Sequence, residues 1–229
     1  MILSFLIVIK MNKKAGFAMV ANKKALVFVY DGMSLSEIAL LTDFLTAFQS
    51  SEHSWKIDTV SSKNPRMIKT EDSFQIIPNK IFSEIDFMDY QVIIFSGIID
   101  PYSIANDLDL INFIKPLANL TDRPLIAAIS SAPMLLAKAE ILKGVKFTSG
   151  LFEEALDEFD FFDKANIIRK PVVYDEKNNI VTAIGFAYRE FAVKVAELLG
   201  FENAERRLAG VRTDRPYTDE ELTFYKKPQ

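Results

Sequence analysis

Three short runs of uninterrupted apolar residues constrain this chain most: Ala25–Tyr30 (ALVFVY), Val92–Phe95 (VIIF) and Leu125–Ile129 (LIAAI). A strand with one solvated face alternates apolar and polar residues, so runs of this kind read as strands covered on both faces. Each ends at a turn signal: Asp31-Gly32, Ser96-Gly97 and Ser130-Ser131-Ala132-Pro133. Between them lie segments with helical spacing, such as Ile38, Leu41, Leu45 and Phe48 within 34–48. Strands alternating with helices predict an α/β fold, a doubly wound and mostly parallel sheet with helices on both faces.

The remaining elements follow from the same signals. A strand is expected over 55–60, a hairpin from 68–69 and 74–77, and one helix from Pro101 to about Ile114. Another helix is expected from Pro133 to Lys143, stopped by Gly144. A strand over 145–148, an acidic aromatic helix over 152–162, strands over 172–174 and 180–183, and a last helix over 188–199 complete the pattern. The chain divides into a leader (1–22) outside the fold, a domain (23–200) and a charged extension (201–229) with six basic and six acidic residues. The extension reads as a docked segment or a dimer contact.

Composition removes several functions. Net charge is −4, so the basic footprint of a nucleic-acid binder is absent. No cysteine is present, which excludes disulfides, thiolate metal sites and a thiol nucleophile. The apolar run at the N-terminus precedes its lysine, the reverse of a secretory signal, and is too short to span a bilayer. A cytoplasmic protein with no membrane partner is expected. No P-loop and no G-x-G-x-x-G follows a strand, so no cofactor is implied. Glu153, Glu154, Asp157, Glu158, Asp160 and Asp163 lack calcium-loop spacing and read as a solvated helix face. Asp31 and Asp100 read as turn residues.

Ligands of open parallel sheets bind beyond the carboxyl ends of the strands. That rule singles out the segment LIAAISSAPMLL, a buried strand, a small-residue turn and a helix in twelve residues. This is the pattern of a nucleophile elbow, with Ser130 exposed at the strand tip and the Ser131 N–H available to an oxyanion. An ordinary strand-to-helix turn with a serine cap has the same spacing. Ser34 and Glu37 similarly fit a capping box at the start of the first helix.

Four segments in order resemble the ThiJ/PfpI family of the class I glutamine amidotransferase-like superfamily: YDGMSLSEI, VIIFSGIID, AAISSAP and AIGFAYREFAVKVAELL. The resemblance covers roughly residues 24 to 200 and implies a flavodoxin-like sandwich and a homodimer. It places Ser130 at the family's reactive cysteine and Glu37 at the glutamate that tunes it. Gly97 and Ile98 fall on the family's paired glycines, so a pocket or oxyanion hole would involve Ser131, Gly97 and Ile98, with the Ile98 side chain narrowing the pocket. The family's histidine positions hold Ser131 and Gly150, and the one histidine, His53, precedes a strand at the opposite edge. A serine hydroxyl needs a positioned base, and only Glu37 is offered. Three functions stay open: a binding protein for a small carbonyl or amide ligand or a partner, a Ser130/Glu37 hydrolase or glyoxalase/deglycase-like enzyme, and a chaperone-like stress protein.

Overall fold

The computed structural model describes residues 22–47, 54–62 and 67–224. Residues 1–21 of the proposed leader, His53 and the last residues of the extension lie outside them, while Asn22, assigned to the leader, opens the first strand instead. Among the described residues seven strands form one sheet. In chain order they are β1 (Asn22–Phe28), β2 (Ser54–Ser61), β5 (Lys80–Ile81), β6 (Val92–Phe95), β7 (Leu125–Ile129), β8 (Val172–Asp175) and β9 (Ile180–Ala183), and their spatial order is β5-β2-β1-β6-β7-β9-β8. All neighbours pair in parallel except β8 and β9, an antiparallel hairpin at one edge. The short hairpin of β3 (Ile68–Lys69) and β4 (Gln75–Ile76) stands apart, antiparallel as its sequence predicts.

Every residue of β6 and β7 is buried, which is why their apolar runs end where the strands end. Helix α1 (Ser36–Ala47) packs with α6 (Tyr188–Leu198), while α2 (Pro101–Ala105), α3 (Leu108–Ile114) and α4 (Pro133–Lys138) pack together. Phe28 stacks on Phe95 at 4.6 Å between ring centroids, tying β1 to β6 inside the core.

Four expected elements come out differently. The helix expected from Pro101 to Ile114 is two helices, because the Asp107 side chain accepts from the Leu110 N–H and caps a fresh start. α4 ends at Lys138 rather than Lys143, since Glu140 adopts the left-handed region at φ 64 and breaks the hydrogen-bond ladder. Residues 145–148 form no strand; Phe147 makes a single bridge to Ile167. Of the segment 152–162, only α5 (Glu153–Glu158) is helical. Beyond it Phe159, Phe161 and Phe162 turn to pack on one another, and Phe162 stacks on Phe147. The short edge strand β5 carries no sequence signal of its own.

The extension docks at its start. Phe201 lies 5.0 Å from Phe44 and 6.0 Å from Trp55 between centroids. A last short helix, α7 (Ala204–Arg207), follows, and Arg189 of α6 donates to the Leu208 carbonyl at 2.6 Å and to the Glu205 carboxylate at 2.6 Å.

Candidate functional site

Ser130 stands between β7 and α4 with φ 62, a left-handed conformation that costs a residue with a side chain about 1–2 kcal/mol. Neighbouring segments hold it there. Its N–H donates to the Ala183 carbonyl at the end of β9 (2.8 Å), and its carbonyl accepts from the Gly150 N–H (2.7 Å) and the Ser149 hydroxyl (3.2 Å). The turn thus projects the half-buried Ser130 side chain outward at the carboxyl end of the sheet.

Three glycines fence that side chain. A Cβ on Gly97 would sit 2.7 Å from the Ser130 hydroxyl oxygen, one on Gly185 3.0 Å, and one on Gly150 3.4 Å. The first two would also meet Glu37, at 2.6 Å and 3.0 Å from its carboxylate oxygens. Any larger residue at Gly97 would fill the space that Ser130 and Glu37 share. Gly97 is among the residues singled out in the sequence. Gly150 entered only as the occupant of a missing histidine's place, and Gly185 not at all, although it lies just past the end of β9, where the strand-end rule would have found it.

Glu37 lies in the first turn of α1, yet it does not close the expected capping box. The Asp72 carboxylate caps that helix instead, accepting from the Leu35 and Ser36 N–H groups at 2.8 and 3.3 Å. Glu37 is therefore turned toward the sheet, where it accepts from the Gly97 N–H at 2.6 Å. Burial raises its pKa above the ordinary 4.5; the nearby Ser130 hydroxyl and the Gly97 N–H work against this, while Glu71 and Asp72 push further upward. The Tyr30 hydroxyl, bonded to the Ser96 carbonyl, is held well above its usual range by burial, and the Glu37 charge adds to the shift.

The expected oxyanion donors divide. The Ser131 N–H meets no acceptor among the described residues. The Gly97 N–H is taken by Glu37, and the Ile98 N–H by the Ser131 hydroxyl at 2.9 Å, so neither is free. The Ile98 side chain does not narrow the space at Ser130 as expected. It packs toward Gly32 and lines a separate cavity of about 250 Å³ at the ends of β1 and β2, beside Tyr30 and Ser61. An apolar groove of about 380 Å³ runs between the β6–α2 loop and α5, with Ile99, Tyr102, Leu151 and Phe152 among its walls.

The other candidates keep structural partners. Asp31 accepts from the Lys69 N–H, and Asp100 caps α2 through the Tyr102 N–H. In the acidic segment Glu153 pairs with Arg169 and Asp157 with Lys164. Among the described residues no group of three or more His, Asp or Glu side chains could hold a metal ion, and no helix is long and apolar enough to cross a membrane.

Residues 23–198 match the DJ-1/PfpI family. The chain belongs to that family. No curated protein matches its sequence. Among solved structures it is similar to Drosophila melanogaster DJ-1beta, with a TM-score of 0.65 and 22% identity over 89% of this chain and 100% of that one. A DJ-1 superfamily protein from Agrobacterium tumefaciens gives 0.68 and 21%, covering 81% and 95%. A two-domain protein from Anabaena variabilis, containing dj-1/thij/pfpi-like and ferritin-like domains, gives 0.66 and 15%; the match covers 80% of this chain and 49% of that longer one. At these identities the likeness speaks for the fold, and the chemistry rests on the residues.

Proposed function

We propose that this DJ-1/PfpI protein carries Ser130 where thiol members of the family carry their cysteine. On this reading the Ser130–Glu37 site binds a small carbonyl or amide compound with little or no turnover. The observation that supports this is the state of the backbone donors. A tetrahedral intermediate on Ser130 needs preorganised N–H groups aimed at its oxygen, and two of the three expected here are committed to protein acceptors. Activation is equally short. Glu37 is the ionisable side chain seen beside Ser130, and it already accepts from Gly97. Ser130 and the Ser131 N–H remain able to hold a polar ligand.

A serine enzyme is the second reading. The strained Ser130 turn and a carboxylate of raised affinity for protons favour it. Assays of glyoxalase, deglycase, amide and ester turnover on wild type, Ser130→Ala and Ser130→Cys separate the two. The binding reading expects a silent wild type and activity only in the cysteine variant. Wild-type turnover that disappears in the alanine variant would overturn it and make Glu37 the general base.

A further inference from the structure

Ser131 is buried, with 6% of its surface exposed, and its hydroxyl is fully used. It accepts from the Ile98 N–H at 2.9 Å and donates to the Ile98 carbonyl at 3.1 Å, a reciprocal pair across the junction of β6 and β7. The amides on either side are also occupied: Gly97 by the Glu37 carboxylate at 2.6 Å and Ile99 by the Gly32 carbonyl at 3.2 Å. The three successive N–H groups at this strand end therefore meet three separate acceptors. Each one is filled by the protein itself. Two of the fillings have no alternative occupant: Glu37 is a charge-bearing group, and Gly32 is backbone. The third depends on one hydroxyl.

The geometry points to Ser131 as the residue that decides which ligands the elbow admits: its hydroxyl occupies the Ile98 N–H, so the site takes uncharged carbonyl or amide compounds and turns away carboxylates and oxyanions. The inference rests on reading the elbow as a ligand site. An uncharged carbonyl needs one donor, which the Ser131 N–H supplies, and tolerates Glu37 beside it. A carboxylate needs several donors to replace its water and finds one, with the Glu37 carboxylate beside Ser130. Removing the hydroxyl leaves a buried Ile98 N–H without a partner, and an incoming anion can satisfy it.

The test uses two probes of one shape, acetamide and acetate, titrated at constant ionic strength into the full chain while the backbone amide resonances are followed. In wild type, acetamide should shift the Ser131 amide saturably, and acetate should leave the Ile98 amide unmoved. In Ser131→Ala, acetate should shift both amides and bind about tenfold more tightly than to wild type, or roughly 1.4 kcal/mol. Ser131→Thr, which keeps the hydroxyl, should behave as wild type. Acetate moving the Ile98 amide in wild type, or no gain in Ser131→Ala, overturns the proposal. Acetamide binding to wild type without that gain would sink the role of Ser131 alone. A gain in the variant with no acetamide binding to wild type would sink the ligand-site reading and leave the gate standing. If the alanine variant does not fold, hydrogen exchange in wild type still decides. The bonded Ile98 amide must exchange more slowly than the Ser131 amide, and the reverse order refutes the interlock.

Discussion

The elbow at Ser130 and the cavity at the far end of α4 make opposite uses of space. The second is larger, about 560 Å³, with Phe147, Phe161 and Phe162 in its walls and Lys138 over the Phe161 ring at 5.2 Å. The elbow is closely fenced: three glycines from three separate segments approach one serine, and a methyl group would collide at Gly97 and sit tightly at Gly185 and Gly150. The roomy cavity is built from side chains that can rearrange, whereas the elbow is built from backbone that cannot. Volume alone points to the far end of α4, away from Ser130. Close approach of backbone, with amides already assigned to acceptors, marks the place where geometry is held.

Three substitutions test that contrast. The largest effect is expected from Gly97→Ala, whose added carbon would meet Glu37 and Ser130 at 2.6 Å each. Overpacking of this kind costs about 1–3 kcal/mol, and ligand binding at Ser130 should be lost; urea unfolding reads the first and titration the second. A variant as stable as wild type would show the elbow to be softer than its distances imply.

The next test is the pH dependence. Glu37 holds its proton more tightly in the folded chain than its ordinary 4.5. Its contribution to stability is therefore fully present below the unfolded value and declines as pH rises through the folded one. Unfolding measured from about pH 4 to pH 8 should show that decline in wild type and a flatter profile in Glu37→Gln. Identical profiles would remove Glu37 from the account.

The smallest effect belongs to the other region. Lys138→Ala should cost about 0.5–1 kcal/mol, the value of a cation over an aromatic ring at a partly exposed position. A loss as large as that of Gly97→Ala would erase the distinction between the two regions.

The same contrast explains what could be read from the sequence. β6 and β7 were legible to the residue because burial on both faces leaves no choice but apolar side chains. Ser130, Glu37 and Gly97 were legible through the rule of strand ends and the resemblance that quoted them, and the structure brings the three together. Partners chosen across the chain were not legible. Asp72 caps α1 from the 68–76 hairpin, so Ser34 and Glu37 looked like a local box that never closes. Nothing in the order of residues says that the Ser131 hydroxyl finds the Ile98 amide. Residues 145–163 misled for another reason. Their apolar residues serve a cluster of rings rather than a periodic face, so the spacing carried no usable signal.

The hold on the Ser130 backbone also sets an order in time. Its N–H waits for the Ala183 carbonyl, and its carbonyl waits for Gly150. A growing chain that has been synthesised only through Lys143 contains the entire LIAAISSAPMLL segment but neither Ala183 nor Gly150, the partners that hold the Ser130 backbone. The turn that places Ser130 is completed only when β9 arrives beside β7. A chain cut short before residue 180 would therefore keep the sequence of the site and lose its geometry.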